Sequence, residues 1–257
     1  MGGTGTVVGA TVLVGGSLLA GALCAAAFRL PERVAAIVTS FAGGLLLAAV
    51  AVELVPEADD RAGPWLTAGG LVAGTLVLVG ADAWLTRDRG MRATRRSGHA
   101  AAAGRPDAMD ELAASGEETR GEAIAAGLVA DGVPESLALG LTIAEGEIGL
   151  ALLVGIVAGN VLEAYGAAQP IVAGGRSRRF AVALLGAIAL GLAGATLLGA
   201  TVLADAPDEL IGTAEAVAAG AVLAVVSISI VPHAFDTVSR AVATATVLGF
   251  TVGFLLS

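Results

Sequence analysis

The feature that most constrains this chain is a series of apolar stretches about as long as a bilayer is thick. A helix needs about 20 mostly apolar residues to cross the hydrocarbon core. Eight stretches reach or approach that length, and we predict that each is a membrane-spanning helix. These eight spans cover residues 6–28, 34–55, 65–85, 123–144, 150–173, 180–204, 210–235 and 241–257.

Composition excludes most other classes of protein. Hydrophobic residues make up 56% of the chain and charged residues 14%, against about 25% charged residues in soluble domains. Cys24 is the only cysteine, which excludes a disulfide scaffold, and a net charge of −9 argues against binding nucleic acid. The sequence therefore predicts an all-α polytopic membrane bundle, with residues 1–257 forming one domain.

Arginine placement predicts the orientation of the spans. Thirteen of the fourteen arginines lie in alternate connections, and only Arg61 lies in the others. The arginine-rich connections are expected to be cytoplasmic, which places both termini outside the cell membrane. The longest connection, residues 86–122, has no apolar period and is predicted to be a mobile cytoplasmic loop. Acidic outer turns would attract cations, although acids can also simply fill short polar turns.

The second and seventh spans resemble each other when Pro56 is aligned with Pro232. The two spans run in opposite directions, and inverted repeats of this kind are typical of secondary transporters. Residues 131–136 of the fourth span match residues 159–164 of the fifth in the same way. The sequence therefore predicts a 3+2+3 arrangement with an inverted repeat. The alternative is a set of unrelated helices rich in small residues.

Ionisable residues inside the spans are candidates for a functional site, because they are costly to insert into a membrane. Asp131 and Glu135 share one face of the fourth span, and Asn160 and Glu163 share one face of the fifth. Pro134 has no N–H, so the carbonyl four residues earlier needs another partner. We predict that these groups bind a divalent cation. The alternative is a protonated cluster that only joins the helices.

Other polar residues lie nearer the ends of the spans. Glu53, Glu57 and Glu215 are expected at the outer mouth, as pathway residues or as solvated helix ends. His233 is expected near the cytoplasmic side, where histidine can bind a metal ion or simply form hydrogen bonds at a helix end. The other histidine, His99, lies in the predicted loop.

At these residues the chain resembles the ZIP family of zinc and iron transporters, the bacterial branch in particular. The resemblance extends over nearly the whole chain. Its clearest segments are residues 41–58, 131–140, 159–164 and 231–232. The segment from Asp131 is similar to the His-Asn-x-Pro-Glu-Gly signature of the family. The resemblance implies a two-metal site shared by the fourth and fifth spans.

Several residues depart from the pattern of that family. Asp131 stands in place of the histidine, Gly132 in place of the asparagine, Gly159 in place of the first ligand of the fifth span, and Asn160 in place of an acid. Only the glutamates of the two spans are retained. The resemblance therefore implies a degenerate metal site, and its oxygen donors favour ions such as manganese, magnesium or ferrous iron over zinc.

From these features we predict a ZIP-like transporter that moves a divalent metal cation toward the cytoplasm by alternating access. The alternatives are a transport-dead relative acting as a scaffold or sensor, and a proton-coupled carrier of another solute. We expect no enzyme activity, since neither a nucleophile–histidine pair nor an HExxH motif is present. The expected partners are the transported metal ion and the lipid bilayer, with a homodimer left open and no prosthetic group.

Overall fold

The structure is a computed structural model, and it describes residues 4–27, 31–85, 117–144, 150–173, 176–202, 206–231 and 238–257. Within these ranges the chain is almost entirely helical and contains no strand. The helices are α1 (Thr4–Ala27), α2 (Glu32–Ala48, continued by Ala49–Leu54 and Val55–Ala62), α3 (Pro64–Leu85), α4 (Glu117–Ala144), α5 (Leu150–Ala173), α6 (Arg178–Val202), α7 (Asp208–Val225, continued by Val226–Ile230) and α8 (Ala241–Leu256).

Six of the described helices contain an apolar stretch long enough to cross a membrane, in α1, α2, α3, α5, α6 and α7. The remaining two contain shorter apolar stretches, Gly132–Ala144 in α4 and Ala241–Leu256 in α8. Many large apolar side chains lie exposed on the outside of the bundle, including Leu76 and Leu190. These properties are compatible with a multi-pass membrane protein, and they confirm the all-α prediction.

Two helices extend beyond the ends that the sequence predicts. α2 continues to Ala62, so most of the connection between the predicted spans 34–55 and 65–85 is helical. It ends at Gly63, which has φ 76°, a left-handed conformation that glycine adopts without a steric penalty. α4 begins at Glu117, inside the predicted loop of residues 86–122. The rest of that loop, including His99, lies outside the described residues.

The helices pack in corresponding pairs. α2 packs along α8 and α3 packs along α7, while α1 packs along α5 and α4 packs along α6. α2 also contacts α5, and α7 contacts α4 in the same way. These contacts of the described residues thus correspond to one another when α2 is exchanged with α7, α3 with α8, α1 with α6, and α4 with α5.

Glycine contacts repeat this correspondence at the level of single residues. In the α2–α8 pair, Gly44 lies against the carbonyl of Thr246, and Gly249 lies against the carbonyl of Phe41. A side chain at either glycine would overlap these backbone atoms, so each glycine permits the close helix approach.

The α3–α7 pair contains the same two contacts. Gly220 lies against the carbonyl of Leu71, and Gly74 lies against the carbonyl of Val217. Each of these four residues is related to its counterpart in the α2–α8 pair by a shift of 175 or 176 positions. The same close helix approach therefore occurs twice, once in the α2–α8 pair and once in the α3–α7 pair.

π-helical segments interrupt α2 at Ala49–Leu54 and α7 at Val226–Ile230. A shift of 176 positions places one segment over the other. Each precedes a proline by two residues, Pro56 in α2 and Pro232 after α7. Proline removes a backbone donor from the helix, and π segments inside α-helices are frequent at functional sites.

Candidate metal site

The fourth and fifth helices lie in contact, as the predicted cluster requires. Glu135 lies in α4 directly after Pro134 and is 7% exposed. Its burial is consistent with a functional carboxylate, because a buried ionised group needs a compensating partner. The side chain of Asp131, one turn earlier, lies outside the described residues.

On α5, Asn160 is 2% exposed and Glu163 is half-buried. The Asn160 amide nitrogen donates to the carbonyl oxygen of Val14 in α1 at 3.4 Å. This bond ties α5 to α1 and occupies part of the amide, so Asn160 has a structural role besides any role as a ligand. This contact could not be predicted from the sequence, because the acceptor is a backbone carbonyl and Val14 carries no polar side chain.

When residues 131–136 are aligned with residues 159–164, Gly132 of α4 corresponds to Asn160 of α5. The α4–α6 pair then corresponds to the α5–α1 pair. A Cβ atom at Gly132 would lie 2.6 Å from the Leu192 side chain, so the missing side chain admits Leu192 of α6 against α4. α4 therefore meets α6 through an apolar contact, whereas α5 meets α1 through an amide hydrogen bond.

Within the described part of the chain, no group of three or more His, Cys, Asp or Glu side chains is close enough to hold a metal ion. Glu135 and Glu163 are described, whereas the third predicted carboxylate, Asp131, is not. The shared cluster of Asp131, Glu135, Asn160 and Glu163 therefore stays a prediction.

Glu53 has a role that the sequence does not reveal. Its carboxylate lies beside the Ser257 side chain and accepts hydrogen bonds from the backbone N–H groups of Ala151 and Leu152, while the Ser257 hydroxyl donates to the carbonyl of Gly253. The two N–H groups belong to the first turn of α5, where the helix dipole favours negative charge. The other oxygen, Oε2, is buried and forms no hydrogen bond with the described residues. Glu53 thus joins α2 to the start of α5 and to the end of α8.

Glu215 lies fully buried in α7, 3.9 Å from the guanidinium of Arg61. Arg61 belongs to the last turn of α2, and Glu57 lies one turn before it on the same face. Gly212 allows this approach, because a Cβ atom there would lie only 2.8 Å from that of Arg61. The expected mouth residues Glu57 and Glu215 thus lie beside the basic residue that departs from the arginine pattern. His233 lies outside the described residues.

No protein-family model matches this chain, and no curated protein matches it either.

Proposed function

We propose that this protein is a ZIP-like transporter that moves a divalent metal cation toward the cytoplasm by alternating access. The observation that carries the proposal is the burial of Glu135 in α4, next to Pro134 and in a helix that contacts α5. A carboxylate inside a membrane bundle is costly and is retained mainly where it serves ions, protons or substrates. The proline adds a freed backbone carbonyl, which is also a cation ligand.

The architecture that we propose has eight membrane-spanning helices in a 3+2+3 order, with an inverted repeat. It is supported by the paired helix contacts, by the two matching pairs of glycine contacts and by the two π segments. In such repeats the substrate site lies at the interface between the halves. α4 and α5 occupy that position here, because each contacts the other and one helix of the α2–α7 pair.

We place the protein in the cell membrane with both termini outside and the loop after α3 in the cytoplasm. The arginine distribution supports this orientation. Glu53 near the end of α2, Ala151 at the start of α5 and Ser257 at the chain end meet in space. An eight-span topology requires these three points to lie on one face of the membrane, and their contact supports it.

The ligands also bear on the choice of ion. Carboxylate and carbonyl oxygens favour manganese, magnesium and ferrous iron, whereas zinc sites usually include nitrogen or sulfur. We therefore propose manganese or ferrous iron ahead of zinc. Asp131, Glu135, Asn160 and Glu163 are the proposed ligands.

Uptake into proteoliposomes tests the proposal. The purified native protein is compared with Glu135→Gln, Glu163→Gln and Glu209→Gln, with manganese or zinc outside the vesicles. Glu209 is an exposed acid in the first turn of α7, so its variant controls for the loss of one negative charge. We expect uptake by the native and control proteins and its loss in the other two variants. Folded native protein that takes up neither ion contradicts the proposal and favours a transport-dead relative.

Elemental mass spectrometry of the purified protein separates the remaining alternative. A metal-transporting protein should retain metal that Glu135→Gln does not. Proton uptake without metal content or metal uptake would instead favour a proton-coupled carrier of another solute.

A further inference from the structure

Each π segment contains a backbone carbonyl that has lost its usual donor within the helix. In α2 the N–H of Val55 bonds to the carbonyl of Val50, which is the spacing of a π-helix. The next carbonyl, that of Ala51, would pair with residue 56 at the same spacing. Residue 56 is a proline and has no N–H to donate. The Ala51 carbonyl is therefore left without a backbone donor at either the α or the π spacing.

The same arrangement occurs in α7. The N–H of Val231 bonds to the carbonyl of Val226, and the following carbonyl belongs to Ser227. The donor at the matching distance would be residue 232, again a proline. The Ser227 hydroxyl donates to the carbonyl of Leu223 and is thus engaged elsewhere. Both halves of the chain free a carbonyl at the same position of the repeat.

The helices also become exposed at these two positions. Residues 42–46 of α2 and 218–222 of α7 are buried without interruption. Five consecutive residues cover more than one helical turn, so no side of either helix faces lipid there. After these stretches, the first exposed residue is Ala51 in α2 and Ser227 in α7. The packing therefore opens where the carbonyls are freed.

A freed carbonyl that faces hydrocarbon would be strongly unfavourable. Irregular backbone at membrane depth is tolerated only where it is covered by protein or lines a water-filled space. Ala51 and Ser227 are both exposed, so the protein does not fully cover these residues. Because an unpaired carbonyl is costly in hydrocarbon, water is favoured at both positions. A carbonyl oxygen in a hydrated space is a ligand for hard cations.

We propose that the backbone carbonyls of Ala51 and Ser227 are two relay sites, one in each half of the chain, that bind a partly hydrated divalent cation during transit. This inference rests on the proposed function and adds a location for the pathway. α2 and α7 run in opposite directions in the proposed topology, and each helix opens toward its C-terminal end. The two relay sites therefore open toward opposite sides of the membrane, Ala51 outward and Ser227 toward the cytoplasm.

Cysteine labelling tests the location. The native cysteine is removed by Cys24→Ser, and Ala51→Cys or Ser227→Cys is added, which leaves the backbone carbonyl in place. A membrane-impermeant thiol reagent should label position 51 from outside and position 227 only from the cytoplasmic face. Val50→Cys and Val226→Cys are the controls, because these neighbouring residues are buried and should resist labelling. Absence of labelling at both relay positions, with lipid-soluble reagents still reacting, overturns the proposal.

Protection by manganese tests the ligand. Manganese alone should slow the labelling of both positions several-fold. Labelling that manganese does not slow at either position overturns the relay sites. The measurement needs no transport, so it remains decisive if the native protein fails to take up metal and the proposed function is rejected.

Restoring the missing donor provides the functional test. Pro56→Ala supplies an N–H that can satisfy the freed carbonyl, and we expect uptake to fall by about tenfold, as when a metal-supporting group is removed. Pro64→Ala is the matched control, since Pro64 is the first residue of α3, where no N–H is needed. Native-level uptake by folded Pro56→Ala contradicts the relay sites while leaving the proposed function intact. Should Pro56→Ala not fold, the labelling results decide.

Discussion

The bundle contains buried acidic residues in two regions whose surroundings differ. The first, which we call the Glu215 region, consists of two separate contacts: buried Glu215 lies beside Arg61, and half-buried Glu53 lies beside Ser257 and the first turn of α5. In the second, the α4–α5 region, Glu135 and Glu163 lie on two contacting helices beside a proline. Burial alone therefore does not identify an ion site here. The partners of Glu53 and Glu215 give these acids a structural role, and we propose metal binding only for the α4–α5 region.

The largest effect of a substitution is expected on metal uptake, in the α4–α5 region. Glu135→Gln should lower metal uptake by well over tenfold, since even groups that only support a metal ligand cost about 10- to 100-fold when removed. Thermal unfolding of the variant should change little, because an amide of the same shape replaces the carboxylate. Uptake and melting curves on the same preparation check both expectations. A variant that unfolds early yet transports normally would assign Glu135 to helix packing instead.

The opposite pattern is expected in the Glu215 region. Arg61→Ala leaves Glu215 buried without its ion-pair partner and should cost about 3 kcal/mol, the lower end for a broken buried pair. The lower end applies because the Arg61 side chain is 26% exposed and retains some solvent. Unfolding in denaturing detergent provides the measurement, with the exposed Arg179→Ala as the control.

A double variant sharpens that result. Arg61→Met combined with Glu215→Leu should recover most of the lost stability, because apolar side chains need no charged partner. Recovery would show that the pair is structural. If the double variant is stable but no longer takes up metal, the Glu215 region belongs to the pathway and the distinction between the two regions fails.

A smaller effect is expected on selectivity. Asp131→His replaces a charged oxygen donor with an imidazole nitrogen, which suits zinc better. We expect the ratio of zinc to manganese uptake to rise several-fold. Asp208→His is the control, since Asp208 is an exposed acid in the first turn of α7. An unchanged ratio in Asp131→His would show that Asp131 does not contact the ion.

Long-range polar pairing explains most of what the sequence did not predict. The positions of the helices could be predicted from apolar stretches of bilayer length, because the hydrophobicity of a stretch depends only on its own residues. The contacts of Arg61 with Glu215 and of Glu53 with Ala151 join residues far apart in sequence. Neither contact has a local pattern that could indicate it. Glu53 and Glu215, both expected at the outer mouth, thus lie in two separate contacts, and their role in a pathway stays a prediction.

The π segments were missed for a different reason. Pro56 and Pro232 could be aligned from the sequence, but a proline can end a helix, kink it or shift its hydrogen-bond register. Only the bonds of Val55 and Val231 distinguish the third outcome. Candidate residues of the α4–α5 region were easier to identify, because an acid in an apolar stretch is conspicuous.

The smallest predicted effect concerns Glu53, which lies in the Glu215 region but also two residues from Ala51. Glu53→Gln keeps an acceptor for the N–H groups of Ala151 and Leu152 and removes only the negative charge at the start of α5. The expected loss of stability is about 0.5–1 kcal/mol, typical of a charge at a helix terminus. Faster hydrogen exchange at these two amides should accompany it, while Asp208→Asn, at an exposed helix start, should lose less. The zinc-to-manganese ratio should stay at the native value, because the structure assigns the carboxylate to the helix. A changed ratio would mean that the ion reaches Glu53, and the boundary between the two regions would then have to move to include it in the pathway.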